Sequence, residues 1–507
     1  MSLSAHLVAQ DSSWRQRSEL AALADLPPQL DSELERLDKE FWVSAEKLKE
    51  VVNRFREELD EGLQENGRNI PMNITWVHSL PSGNERGTFL TLDLGGTNLR
   101  VCKVTLHGQE PPNPTNSPSP GQKFSLEQEQ YKLPDHIKSS TAEELWTHIA
   151  DKLSTFLSSK GLDKEYTKEK PMPLGFTFSY PATQDAINHA VLQTWTKGFD
   201  IKGVEGHDVA AQLREKMAAR NLPLELICVI NDTVGAMIAS AYNDPETIIG
   251  AIFGTGCNAA YMSSLSSIAK LSPSDPRLKS SSSSGGKTTG KMAINCEYGA
   301  FDNAHAVLPR TAYDAQIDAA SPRPGEQSFE KLSAGLYLGE IFRLVLLDLA
   351  DRGLVFKDRD VGRLRQPYTI DTSFLSQIED DESAGFAQSR QMCRETLGFD
   401  LADGEVELTR RLAELIAVRG ARLCACGVAA ICTKEGITRG HVAADGSVAN
   451  KHPKFKRRWA RALGEILDWD RREGEEDPIV ITSAEDGSGV GCAIIAAMEM
   501  ERRGRRA

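Results

Sequence analysis

The chain has 507 residues, of which 40% are apolar and 26% charged, a usual balance for a globular protein but a length beyond what one hydrophobic core serves. Two lobes or domains are therefore expected. A formal net charge of −13 argues against a general nucleic-acid-binding surface, while leaving room for a local phosphate site.

Residues 1–30 carry mixed charge, a Pro27-Pro28 pair and little periodicity, and are expected to form a mobile tail. Leu3, Leu7 and Val8 can make one weakly amphipathic turn with Trp14 beyond, which allows a membrane-surface anchor; a loosely docked terminus is the plainer expectation. From Asp31 to Leu63, apolar residues recur at helical spacing (Leu34, Leu37, Phe41, Leu48, Val51, Val52, Phe55), predicting one long helix or two that lead into the first lobe. Gly87–Leu94 alternates like a strand, breaks at Gly95-Gly96 and resumes over Leu99–Leu106; residues 108–122, rich in Pro, Gly and Asn, read as a loop. Thr141 and Glu144 have the spacing of a capping box before a helix through Leu157.

An apolar run then ends in Ser179-Tyr180-Pro181, and Trp195-Thr196-Lys197-Gly198-Phe199 follows. Hydroxyls and an ammonium beside an aromatic wall suit a small polyhydroxylated molecule. Ile227–Ile230 reads as a buried strand ending at Asn231-Asp232-Thr233. Asp232 there either caps a helix beginning at Thr233 or accepts a proton from a substrate hydroxyl, and the local pattern alone favours the cap. Ile248–Tyr261 repeats the strand–turn–strand pattern around Gly254-Thr255-Gly256, so the chain is expected to be internally duplicated. Asp93-Leu94-Gly95-Gly96-Thr97-Asn98 alone could be a plain hairpin turn. Paired with Gly254-Thr255-Gly256-Cys257-Asn258, it suits a nucleotide held between two lobes, because glycines let the backbone approach phosphate from each side.

Ser272–Lys291, rich in Ser, Gly and Lys, is expected to be a flexible insertion. Its Gly286-Lys287-Thr288 imitates the end of a P-loop, but Ser281 stands in place of the leading Gly and no strand precedes it. Spacing alone gives Glu297 and Glu330 no role. Gly427–Ile431 reads as a closely packed small-residue helix. Ala443–Val448 and Ala484–Gly491 read as strand ends with tight Gly turns, the second opening an apolar helix whose N-terminus suits an anion or adenosine. The nine cysteines are scattered, and Cys424, Cys426 and Cys432 lack the partners of a zinc pattern, so reduced structural thiols in a cytoplasmic protein are expected. No apolar run is read as long enough to span a bilayer, and no signal peptide opens the chain.

Gly175-Phe176-Thr177-Phe178-Ser179-Tyr180-Pro181 and Trp195-Thr196-Lys197-Gly198-Phe199 at this spacing resemble the sugar-binding signature of eukaryotic hexokinases. The similarity runs from about Asp31 to Ala497 and is nearest to the fungal-type members. It implies an α/β, duplicated actin-like ATPase (ribonuclease H-like) fold with two lobes around a cleft. Residues 31–230 would form the small lobe with the N-terminal helix, 231–500 the large lobe, and 272–291 the insertion. The implied reaction is ATP-dependent phosphorylation of a hexose, glucose foremost, at its 6-hydroxyl, with Asp232 as general base. Hexose contacts are implied for Ser179, Thr196, Lys197, Asn231, Asp232, Asn258, Glu297 and Glu330. Nucleotide contacts are implied for Asp93, Leu94, Gly95, Gly96, Thr97, Asn98, Thr255, Gly335, Thr372 and Ser373, and for Ser447, Val448, Ala449, Asn450 and Lys451. Mg2+ would arrive on ATP, with no direct protein ligand and with Asp93 reaching it through water.

The partners implied are hexose and ATP, with no nucleic acid and no integral membrane segment. The place is the cytoplasm, with docking of the tail on the mitochondrial outer surface as a secondary expectation. Four features depart from the family pattern: His189-Ala190 in the sugar segment, Gln130 where fungal relatives carry Lys, Cys257 where Thr or Val is usual, and the Ser-rich insertion. They keep a slow or inactive regulatory paralogue in view beside a working kinase, while a structural actin-like protein would not need the sugar segment.

Overall fold

The computed structural model describes Ser18 and residues 26–96, 98–108, 123–196, 199–271, 290–470, 475–484 and 487–505. The expected loop and insertion fall largely outside these residues, as does most of the N-terminal tail; Lys291, the last residue assigned to the insertion, opens a strand.

Two sheets repeat one plan. In the first, β2 (Arg86–Leu94), β3 (Asn98–His107) and β4 (Phe124–Lys132) form an antiparallel meander, and β5 (Met172–Phe178) and β8 (Leu224–Ile230) extend it in parallel, in the order β4-β3-β2-β5-β8. In the second, β9 (Thr247–Phe253), β10 (Cys257–Ser264) and β11 (Lys291–Asn295) form the meander, and β12 (Gly440–Asp445) and β13 (Ile479–Ser483) add in parallel. A two-residue β1 (Asn73–Ile74) edges that second sheet, and β6 (Ala182–Ala186) pairs with β7 (His189–Leu192) as a separate hairpin. The duplication expected from the two Gly-broken hairpins is thus reproduced strand for strand. All seven residues of β5 are buried, as an apolar strand covered on both faces requires.

The predicted N-terminal helicity appears as two helices, Pro28–Phe41 and Ala45–Gln64, the second capped by Ser44, whose hydroxyl accepts from Lys47 N. Their placement corrects the expected lobe boundary. Both lie against the Asp403–Glu435 helix, and the second also against Phe455–Ile466, on the second sheet's side of the molecule. Phe55 stacks on Phe301 with ring centroids 4.0 Å apart and meets Tyr298 and Phe329 edge-on. Conversely, the Gly487–Arg502 helix leaves the second sheet and covers β2, β5 and β8 of the first. Neither lobe is one continuous stretch of chain, because an apolar stripe announces which face is buried but not which surface buries it.

The Gly487–Arg502 helix packs closely on Asp232–Asn243: a Cβ on Gly491 would lie 2.0 Å from the Gly235 carbonyl oxygen. The 33-residue Asp403–Glu435 helix corrects a second expectation, since it is long and apolar enough to cross a membrane by length and composition. However, 89% of its most apolar window is buried inside the protein, and the Tyr298 ring lies 2.9 Å from where a Cβ on Gly427 would sit. All nine cysteines are buried and unbridged.

Candidate active site

The two hairpin turns open onto one cleft of about 790 Å³. At the first, the β2–β3 register sets Asp93 opposite Arg100. Arg100 Nη2 donates to Asp93 Oδ2 (2.6 Å) and to Ser488 Oγ (2.6 Å), and Ser488 Oγ donates to the same carboxylate oxygen (2.7 Å). The turn is closed by Gly95 N donating to Asn98 O (3.1 Å), and the Tyr180 hydroxyl donates to Gly95 O (3.2 Å). Burial, with Asp93 and Asp232 nearby, pushes that phenol well above its ordinary range, so it stays a donor. Asp93, Gly95, Gly96 and Asn98 line the cleft, whereas Leu94 belongs to the core; Thr97 lies outside the described residues.

At the second turn, Gly254 N donates to Gly256 O (3.0 Å) and Thr255 reaches the wall. Gly335 stands behind it, its N–H on Gly254 O (2.7 Å), while Leu336 N donates to Thr255 O (3.3 Å). Thr372 and Ser373, expected at the nucleotide, do not line the cleft. Thr372 Oγ1 donates to Gly335 O and accepts from Gly339 N (3.1 Å), and Ser373 Oγ donates to Asp371, the N-cap of the Thr372–Glu379 helix. They brace the loop from the rear. Of the Ser447–Lys451 helix, Ser447, Asn450 and Lys451 line the cleft, while Val448 and Ala449 turn into the core. Asp445, which ends β12, accepts from Gly446 N (2.6 Å) and Asn450 Nδ2 (3.0 Å); burial pushes its carboxyl above the usual range.

The residues expected at the hexose gather along the same cleft. Ser179, Thr196, Asn231 and Asp232 line the cleft, as do Asn258, Glu297 and Glu330. Lys197 lies outside the described residues. The aromatic wall expected from Trp195 is corrected: the indole is 3% exposed, donates to Ile201 O (3.1 Å) and packs between Tyr180 and Phe199 behind the pocket. Asn231, not Asp232, caps the Asp232–Asn243 helix, its Oδ1 accepting from Thr233 N (3.0 Å) and Thr233 Oγ1 (2.6 Å). Asp232 is the first helical residue and faces the cleft. The capping role thus passes to its neighbour, because a strand-to-helix turn one residue earlier suffices.

One residue missed in the sequence holds this part of the cleft together. Buried Asn295, ending β11, accepts at Oδ1 from Asn258 Nδ2 (2.8 Å) and Thr233 Oγ1 (3.2 Å), and donates from Nδ2 to Glu297 Oε1 (2.8 Å). Asn231 Nδ2 reaches the same Glu297 oxygen (3.2 Å), and Glu297 N donates to Asn258 Oδ1 (2.8 Å). Glu297 adopts φ 58°, a left-handed conformation that a bulky residue keeps only when its surroundings hold it. Glu330 Oε2 accepts from Cys257 N (3.3 Å). Arg100 and Ser488 were also missed; the first is legible as the residue facing Asp93 across a Gly-Gly turn, the second only through tertiary contact.

The departures leave this arrangement intact. Ala190 is absent from the positive-φ residues and donates its N–H to Asp208 Oδ1 (3.0 Å), so no glycine is required there. His189 Nδ1 sits 2.7 Å from Asp185 Oδ1. Gln130 lines the cleft opposite Arg100 on β4. The buried Cys257 thiol accepts from Ser333 Oγ.

Two Gly-rich backbone turns, one from each half of a duplicated α/β fold, and a buried amide–carboxylate ring line one cleft. That combination defines a two-lobe sugar kinase of the actin-like ATPase fold. The chain belongs to the hexokinase family: hexokinase family models match residues 33–242 and 248–498. It is 49% identical over 495 residues to a hexokinase of Emericella nidulans, covering 96% of this chain and 95% of that one. It is 47% identical to hexokinase-1 of Saccharomyces cerevisiae, with 95% of each chain covered. A hexokinase from Schistosoma mansoni, solved with glucose, superposes with a TM-score of 0.79 at 32% identity, covering 93% of this chain and 99% of that chain. The protein is an ATP-dependent hexose kinase that serves glycolysis.

Proposed function

We propose that the hexose is glucose, phosphorylated at its 6-hydroxyl, with Asp232 as the base. The observation that carries this reading is that Asp232 lines the same cleft as both Gly-rich turns, in the first turn of a helix whose N-cap is Asn231, with its Oδ1 also accepting from Thr233 N (2.9 Å). Its carboxylate takes the hydroxyl proton as the oxygen attacks the γ-phosphorus in line, and the loop N–H groups around Gly95-Gly96 and Gly254–Gly256 meet the transferring oxygens. Glu297 and Glu330 accept from sugar hydroxyls, and Asn231 and Asn258 each have a second amide N–H to donate. A carboxylate held this rigidly disfavours deoxy sugars, because losing a hydroxyl leaves it unpaired. Glucose in the Schistosoma mansoni structure supports the same choice of sugar here.

Magnesium would arrive on ATP and neutralise phosphate charge. Asp93, fixed by Arg100 and Ser488 on the cleft wall, suits an ion that keeps its water shell. The cytoplasm is the proposed location, where nine unbridged thiols persist. The deciding experiment is coupled glucose phosphorylation with ATP and Mg2+, run beside Asp232→Ala. The variant is expected to lose turnover while binding glucose within about tenfold of the parent. If it kept more than about a twentieth of the rate, Asp232 would not be the base.

A further inference from the structure

A buried cluster behind the nucleotide end of the cleft has no place in the chemistry described above. Glu379, the last residue of the Thr372–Glu379 helix, has no side-chain exposure. Its Oε2 accepts from Arg458 Nη2 (2.6 Å), its Oε1 lies 3.3 Å from His452 Nε2, and its backbone oxygen accepts from Lys454 Nζ (2.9 Å). His452 directly follows the Ser447–Lys451 helix and is itself buried. Its Nδ1 faces the backbone N–H of Lys454 (3.3 Å), which can only donate. The neutral ring therefore carries its proton on Nε2, and that nitrogen donates to Glu379.

The other end of the same helix reaches the opposite side of the nucleotide end. Thr372 bonds Gly335 O, and Gly335 N bonds Gly254 O in the second phosphate loop. One eight-residue helix thus links that loop to the helix bearing Ser447, Asn450 and Lys451. Arg458 already supplies Glu379 with a counter-charge, so the His452 bond adds direction to the cluster more than charge balance.

We propose that His452 is a positioning residue for the nucleotide, holding the Ser447–Lys451 helix in register by donating Nε2–H to Glu379. The inference rests on ATP being the phosphoryl donor. Its test is steady-state kinetics of the full-length enzyme, with ATP and glucose varied separately, for His452→Phe, His452→Gln and His452→Asn. The Gln amide nitrogen falls near the place of Nε2, whereas that of Asn falls near Nδ1. His452→Phe and His452→Asn are expected to raise KM for ATP about tenfold, the scale of one hydrogen bond to a charged acceptor. Their kcat and glucose KM should stay within about twofold, and His452→Gln should stay within about threefold of the parent throughout.

An unmoved ATP KM in His452→Phe, a glucose KM rising in step, or a Gln variant as impaired as Phe would each overturn the proposal. If His452→Phe does not fold, the contrast between Gln and Asn decides alone. A parent enzyme that failed to use ATP would overturn the donor itself, whereas turnover with an unchanged ATP KM across the variants refutes only the role of His452.

Discussion

Asn295→Asp exchanges one nitrogen for one oxygen at the centre of the amide–carboxylate ring on the cleft wall. In the parent, Nδ2 donates to Glu297 Oε1 at 2.8 Å. In the variant, two carboxylate oxygens meet at that distance, a repulsion of about 6 kcal/mol at an effective dielectric of about 20. The hydrogen bond it replaces contributes only about 2 kcal/mol, so repulsion dominates the change. The ring can relax by moving Glu297 off the sugar hydroxyls or by taking a proton between the two oxygens. At about pH 8, kcat/KM for glucose should therefore fall at least about tenfold while KM for ATP stays put. At about pH 6 much of the loss should return, because a shared proton restores a hydrogen bond in the same place. Coupled kinetics across that pH range, with thermal unfolding to confirm the fold, provides the measurement. A variant that tracks the parent within twofold at every pH would refute the view that Asn295 holds Glu297 in place.

Gly446 has φ 111°, and a Cβ there would lie 2.5 Å from Phe253 O, so Gly446→Ala must shift β9 against the Ser447–Lys451 helix. Calorimetry should show weaker binding of an ATP analogue, and the melting temperature should fall by an amount matching about 2 kcal/mol or more; unchanged values would show that the turn has room. A third expectation concerns acid. Burial raises the Glu379 carboxyl, but Arg458 and His452 outweigh it and hold it at about 2, below the usual 4.5. A depressed folded-state value stabilises the protein above pH 4.5 and loses that contribution as pH falls toward 2, here about 3 kcal/mol. Glu379→Gln should start less stable at neutral pH and lose less than the parent between these limits, as followed by urea unfolding at several acid pH values. An acid limb as steep as the parent's would remove Glu379 from the cause.

What local spacing controls was legible in the sequence. Thr141 and Glu144 do form a reciprocal capping box, at the start of Ala142–Ser159. Both Gly-broken hairpins form at the expected residues, because a tight turn is specified by its own few positions. The cleft carboxylates Glu297 and Glu330 were reached only through family resemblance, since nothing adjacent in sequence marks either. Asn295 was missed because its three partners come from β10, from the second residue after β11 and from the Asp232–Asn243 helix. Thr372 was misplaced for a related reason: a residue one layer behind a loop shares its neighbourhood without touching the cleft. The Asp403–Glu435 helix has the length and apolar content of a membrane span but carries Arg419 and Arg422, which within the fold pair with Asp314 and Glu465.

The Gly487–Arg502 helix covers the first sheet and also anchors Arg100 through Ser488. Since β8 closes at Ile230, the sheet's strands are all synthesised about half a chain length before the helix that shields them. On the ribosome, the first lobe therefore waits with an apolar face uncovered until synthesis reaches that helix. Its maturation is timed by translation of the second lobe, and a stalled or shortened chain would present that face to chaperones and proteases instead of folding early.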